Sequence, residues 1–377
     1  MVSKNRIINL FSELVRYDSE SFEEKKIGKY VEERLKALGL ELLTKDGTEL
    51  AFLEAHPESY PNIHARLKGT GRGKPVLFSA HLDTVSPGKH KQLTITDDGI
   101  IRSAGDTVLG ADDVSGIVSI IEALTVIREE NLEHPDIEVL ITAAEEPFCE
   151  GSRYFRFDRI RAEKAYVLDL TGRVGTAAVS APSIVSFGTE ILGRAAHAGF
   201  APEAGINALE IAVKTLGNVR TGRVDESTTV NFGTIAGGTG NNIVPEQVRI
   251  TGEVRSLIPG EAGRIAGSIL ERFAMDAGEA GGDARCSMTE HIRAYEVAED
   301  DPTVSRFREA CRQEHVPCTL IRTMGGSDAN RLNEAGIRTI VIACGMENVH
   351  STEEYSRLSE LVRSAKLTLR LMTMERE

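Results

Sequence analysis

The sequence predicts an α/β protein: a domain with a mostly parallel sheet, interrupted by a smaller, inserted ferredoxin-like α+β domain. Three observations predict it. The short, continuous apolar run Pro75–Ala80 has the texture of a parallel strand buried on both faces, and Ile137–Ala143 reads as another buried strand. Helical patterns alternate with these runs, which is the order of an α/β domain. Between 182 and 293 the order becomes β-α-β-β-α-β, the ferredoxin-like pattern. The chain of 377 residues thus divides as 1–181, 182–293 and 294–377, with the middle segment inserted.

The elements follow in order. Ile7, Ile8, Phe11, Leu14 and Val15 share one helical face. A second helix is predicted from Ser21, with Ser21-x-x-Glu24 as a capping box, a stripe of Ile27, Val31, Leu35 and Leu38, and Gly39 as its stop. A strand-rich stretch leads to the strand at 75–80. Val114, Ile117, Val118, Ile121 and Leu124 mark a helix over Asp113–Ile127, and strands follow at Ile137–Ala143 and Ala165–Leu168. In the insert, Ser183–Leu192, Ser227–Ile235, Glu246–Arg255 and Ala284–Arg293 read as strands. Pro202–Val219 and Glu261–Ala277 read as its helices. The last segment offers a helix at Val304–Glu314, strands at Thr319–Arg322 and Arg338–Ala343, and a final helix from Arg357.

Composition narrows the function. Hydrophobic residues at 41% and charged residues at 27% suit a globular protein, not a disordered or collagen-like one. No apolar run is long enough to span a membrane, and the first residues lack the apolar core of a signal peptide. Five cysteines without a CxxC pair argue against a disulfide framework and a thiolate zinc site, and favour the cytoplasm. The balance of 44 − 57 = −13 repels phosphate backbones, which argues against nucleic acid as a partner.

Acids and imidazoles cluster where predicted strands end. His81-Leu82-Asp83 follows the run ending at Ala80, Asp112-Asp113 opens a helix, Glu145-Glu146 follows the strand ending at Ala143, Asp169 ends a strand, and His350 follows another. Ligands of open α/β sheets bind outside the carboxyl ends of the strands, so these clusters would converge on one crevice. Carboxylates gathered there need a cation, because like charges raise one another's pKa. Two histidines with several carboxylates and no thiolate suit zinc, with manganese or cobalt as alternatives. Singly, each signal has a plainer meaning. Asp112-Asp113 could be a helix N-cap pair, Glu145-Glu146 a solvated loop, and Arg255 a surface residue of an alternating strand.

Taken together, the motifs resemble a family. Ser79-Ala80-His81-Leu82-Asp83-Thr84-Val85, Gly110-Ala111-Asp112-Asp113, Glu145-Glu146, Gly193-Arg194-Ala195-Ala196-His197-Ala198-Gly199, Asn242-Ile243-Val244-Pro245 and His350-Ser351-x-x-Glu354-Tyr355 stand in its order and spacing. The chain resembles a peptidase T-like member of the zinc exopeptidase, aminoacylase and desuccinylase superfamily, along essentially its full length. The resemblance implies a dinuclear zinc exopeptidase acting on small peptides, tripeptides foremost. An N-acyl amino acid deacylase or a carboxypeptidase-type relative is the alternative. It implies one zinc on His81, Asp112 and Asp169, and a second on Asp112, Glu146 and His350. Glu145 would be the general base, and Asp83 would orient His81 through its second ring nitrogen. The insert becomes a lid and dimerisation domain, implying a homodimer, with His197 polarising the scissile carbonyl across the subunits or within one. Asn242, Arg255 and Gly326 fall at substrate-contacting positions, Arg255 as a fork for a terminal carboxylate and the Gly325–Asp328 loop through its amides. Val114, Leu170-Thr171 and Pro147 depart from the family pattern beside the site, which bears on substrate preference.

Overall fold

The protein is described here by a computed structural model that covers residues 1–43 and 47–374. It falls into two compact units. The larger holds Met1–Ser180, Glu296–Thr323 and the chain from Ser327; the smaller holds Ala181–Tyr295 with Met324–Gly326. The three-segment division of the sequence has no counterpart to Met324–Gly326. Packing accounts for it: a Cβ on Gly326 would lie 2.1 Å from Ile292 Cδ1 and 3.1 Å from Ile184 Cδ1, both in the smaller unit.

Four parallel strands form the centre of the larger unit, in the order Ile137–Thr142, Val76–His81, Lys164–Thr171 and Arg338–Glu347. Ile63–Leu67 adds an antiparallel strand beside Ile137–Thr142. Val76–His81 and Ile137–Thr142 are buried at every residue, which is why neither alternates apolar with exposed polar positions; the buried Ser79 and Glu138 within them have partners. Helix Ala111–Glu130 packs on Val76–His81, on Lys164–Thr171 and on helix Leu358–Thr373. It is buried almost all round, so its apolar residues occupy more than one face.

Several elements differ from the sequence reading. The second helix runs Lys25–Ala37, and the Ser21 capping box does not form. Ser21 Oγ instead donates to Asp83 Oδ2 at 2.8 Å, and Glu24 Oε1 accepts from the amides of Phe22 and Ala144. Partners distant in sequence have outcompeted the local cap. Within the stretch read as strand-rich, Gly47–Ala55 is a helix. The helix expected over Pro202–Val219 is a 3-10 turn, Pro202–Ala204, and then helix Ala208–Leu216. Asn207 starts the latter by accepting from Leu209 N and Glu210 N. Strand Thr176–Ala181 escaped notice because its small residues carry no strong β signal.

In the smaller unit the four long strands run in the order Thr228–Gly237, Gln247–Ser256, Ser183–Leu192, Asp283–Ile292, with the short strand Gly222–Arg223 at the edge beside Thr228–Gly237, all neighbours antiparallel. That is the ferredoxin-like order, with the first and third strands central. Helices Ala208–Leu216 and Glu261–Glu279 supply apolar residues to one core with the sheet, including Ile211, Phe273, Phe187, Ile250 and Val254. Asp276 joins the two helices, accepting from Thr215 Oγ1 at 2.8 Å and Arg272 Nε at 2.9 Å. No helix among the described residues is long and apolar enough to cross a membrane.

Phe273 is fully buried in this core. Phe273→Ala should destabilise the smaller unit by about 3–5 kcal/mol, read as a lower urea midpoint. A change below about 1 kcal/mol would mean that this core does not hold the unit together.

Candidate metal centre

Each central strand delivers a polar residue at its carboxyl end. His81 is the last residue of its strand, Asp169 lies near the end of Lys164–Thr171, Glu145-Glu146 follow Thr142 by two alanines, and His350 follows Glu347. Asp112 arrives from the start of the buried helix. There Asp112 and Asp113 are not helical, and the peptide between them is cis. Asp113 caps the helix through Gly116 N at 2.9 Å and also accepts from His81 N at 3.2 Å. The N-cap meaning of Asp113 and a role beside the site therefore coexist.

His81, Asp112 and Asp169 bring donor atoms within 4.8 Å of one another, and so do Asp112, Glu146 and His350. Asp112 belongs to both groups and divides its oxygens: Oδ1 is 3.0 Å from His81 Nε2, and Oδ2 is 3.3 Å from His350 Nε2. His350 Nε2 is also 2.9 Å from Glu146 Oε2, and His81 Nε2 is 3.7 Å from Asp169 Oδ1. Glu146 Oε1 is buried without a hydrogen-bond partner, an acceptor that a cation would satisfy. The donor set and this orphaned oxygen fit a pair of divalent ions sharing Asp112.

The electrostatics agree. Burial, with Asp169 nearby, pushes the Glu145 carboxyl well up, and burial beside Asp112 pushes Asp169 up to about 7. Burial opposes ionisation of Asp112 too, yet the hydrogen bonds from His350 and His81 hold it below the usual carboxylate range. Too many acids share too few cations, so a divalent ion would relieve the crowding.

Asp83 lies at the second ring nitrogen of His81. His81 Nδ1 lies 2.9 Å from the backbone carbonyl of Asp83 and 3.4 Å from its carboxylate. The carboxylate accepts from Glu145 N at 2.8 Å, Glu146 N at 3.1 Å and the Ser21 hydroxyl. Asp83 thus orients His81 through its main chain and aims the Glu145-Glu146 pair through its side chain.

The smaller unit's residues are held locally. His197 is exposed, and its Nδ1 accepts from Gly199 N at 3.1 Å and Phe200 N at 3.2 Å. Two amides donating to Nδ1 assign the ring proton to Nε2, which makes Nε2 a hydrogen-bond donor. The carbonyl of Asn242 accepts from Ala198 N at 3.0 Å, which joins the two segments. Arg255 departs from expectation. Its guanidinium is paired with both Glu253 oxygens and donates to the Met324 carbonyl, so the fork proposed for a terminal carboxylate is already engaged. Gly326 is required by packing against Ile292 and Ile184. In the same loop the Ser327 and Ala329 amides serve the cap of helix Asp328–Glu334.

Sequence reasoning missed three supports. Glu354 accepts from Gly110 N and Asp112 N, Glu24 braces Ala144, and Asp328 accepts from Thr142 Oγ1 at 2.5 Å. Glu354 stood inside a quoted motif, four residues after His350, and that spacing was its only signal.

A model of peptidase family M20/M25/M40 matches residues 77–374. The protein YqjE of Bacillus subtilis (strain 168) is 34% identical over 372 residues, 99% of each chain. The crystal structure of aminopeptidase PepT from Bacillus cereus ATCC 10987 is 35% identical, with a TM-score of 0.90 over 99% of this chain and 98% of that one. The structure of a tripeptidase from Staphylococcus aureus is 31% identical, with a TM-score of 0.94 over 99% and 98%.

Without metal, hydrogen bonds to Asp112 and Glu146 push His350 up to about 10, and His81 is likewise raised by its carboxylate partners against the opposing effect of burial. The His350 pairing therefore stabilises the metal-free fold fully below about pH 6.5 and is lost as pH rises through about 10. Metal requires neutral imidazoles. Loading both divalent ions at pH 7 should release at least about two protons per chain, one from each imidazole and a further part from Asp169, measured by calorimetry in buffers of different ionisation enthalpy. Metal uptake with no proton release would remove both imidazoles from the ligand set.

Proposed function

The chain belongs to peptidase family M20/M25/M40, and on that premise we propose that it is a dinuclear zinc aminopeptidase releasing the N-terminal residue of small free peptides, tripeptides foremost. The observation that carries the proposal is the division of Asp112 between two donor groups, one with His81 and Asp169, the other with Glu146 and His350. The tripeptidase and aminopeptidase relatives match this chain from end to end, which supports the substrate class. Donors of nitrogen and oxygen without thiolate support zinc, with manganese or cobalt as alternatives.

His81, Asp112, Asp169, Glu146 and His350 would hold the ions. When bound, the pair supplies Lewis acidity and eases deprotonation of water near neutral pH. Glu145 is the general base. Burial makes its carboxylate a stronger proton acceptor than an exposed glutamate, and Asp83 fixes its backbone. It takes a proton from the attacking water and returns one to the leaving amine. His197, with its proton on Nε2, donates to the developing oxyanion, either within one chain or across a dimer. Asn242 joins it as a substrate contact through the neighbouring segment.

Exposed Leu209, Val213 and Met275 on the helices of the smaller unit support pairing of two copies through that unit. Five free cysteines support a cytoplasmic location.

Glu145→Ala should lower kcat by about 10²–10⁴-fold while metal content, read by mass spectrometry, stays at the wild-type level. Near-wild-type turnover would remove Glu145 as the base. Free tripeptides should lose their N-terminal residue, whereas N-acylated amino acids should resist. Cleavage of blocked substrates alone would make the enzyme a deacylase.

A further inference from the structure

Asp112 belongs to both donor groups, so whatever fixes its position governs both ions. Its carboxylate meets His81 on one side and His350 on the other. Its backbone is held by Glu354, whose Oε1 accepts from Asp112 N at 3.0 Å and whose Oε2 accepts from Gly110 N at 2.8 Å. Glu354 is only 1% exposed. It stands four residues after His350, and its own amide closes a turn onto the Ser351 carbonyl at 3.1 Å. One short segment therefore grips Asp112 at both ends, by imidazole at the carboxylate and by carboxylate at the amide. Gly110 has a positive φ of 77°, and Lys91 Cε lies 3.3 Å from where a Cβ would stand, so the turn is enclosed on that side too. Next to it, Asp113 is bonded to the backbone of His81 and of Gly116.

We propose that Glu354 is a positioning residue that sets the shared Asp112 carboxylate for both ions at once and thereby couples their binding. Both of its oxygens face main-chain amides, which separates it from the ligands themselves. The requirement is for two acceptors. A glutamine of the same size would present one acceptor and one N–H donor to two N–H groups, leaving one amide unsatisfied. The proposal rests on the metal-centre reading above.

The test titrates metal-free wild type, Glu354→Gln and Glu354→Asp with zinc against a chromophoric chelator. Thermal unfolding is followed with and without zinc, and kcat and KM are measured on a tripeptide. Glu354→Gln should weaken both binding steps by about 10–100-fold and lower kcat with little change in KM. Its zinc-induced rise in unfolding temperature should shrink more than its metal-free stability falls. Glu354→Asp keeps two acceptor oxygens on a shorter stem and should recover part of the loss. If Glu354→Gln binds both ions as wild type does and only its metal-free stability drops, Glu354 is structural and the proposal is overturned. Weakening of one step alone overturns the coupling. Should Glu354→Gln not fold, Glu354→Met, of similar bulk and without an acceptor oxygen, is titrated in its place, and wild-type affinity in it overturns the proposal. A wild type that takes up no zinc overturns the metal centre itself, an outcome distinct from the others.

Discussion

Burying like charges together is the constraint around which the larger unit is organised. Asp112, Asp113, Asp169, Glu145 and Glu146 lie close together where the parallel strands end, with two imidazoles among them. A buried carboxylate without compensation is pushed toward its neutral form, as Glu145 and Asp169 are. Much of the surrounding structure can be understood as compensation. Backbone amides point at Asp83, Asp113, Glu24 and Glu354, hydroxyls of Ser21, Ser59 and Thr142 donate to acids, and the remaining demand is of the size that divalent ions meet.

The parallel sheet follows from the same requirement. Parallel strands buried on both faces hold few polar residues along their length, and the proposed ion donors they supply lie at or just beyond their carboxyl ends. Residues far apart in sequence, His81 and His350 among them, thereby reach one carboxylate. The smaller unit works differently. Its polar residues are committed by near neighbours: His197 by Gly199 and Phe200, Arg255 by Glu253. Local commitment fixes a tautomer in the first case and removes a free fork in the second.

This contrast explains what could be read in advance. The apolar runs and the order of strands and helices were legible, because burial on both faces and helical stripes leave periodic marks. The acid and imidazole clusters were legible because they sit where those marks stop. The sequence places Asp83 at the second ring nitrogen of His81 but does not say whether that nitrogen meets the carboxylate or, as here, the nearer carbonyl. The Ser21 capping box was a false local signal, because Ser21 and Glu24 are drawn to Asp83 and Ala144, contacts over sixty and more than a hundred positions away that no window of sequence contains. The pairing of Arg255 with Glu253, two residues away, was not legible, because a strand pattern does not reveal which charges pair.

The Ser21 hydroxyl and the Glu24 carboxylate have a meaning for how this chain can be divided. The family match begins at residue 77, and every proposed ion donor lies beyond that point. Yet the loop bearing Glu145 is fastened from behind by Glu24, and the acid that aims it is fastened by Ser21. A polypeptide cut to residues 77–374 would own all the proposed ion donors and lack this anchorage. Relatives match this chain over 99% of it, opening helices included, and those helices support the proposed centre although they contribute no donor to it.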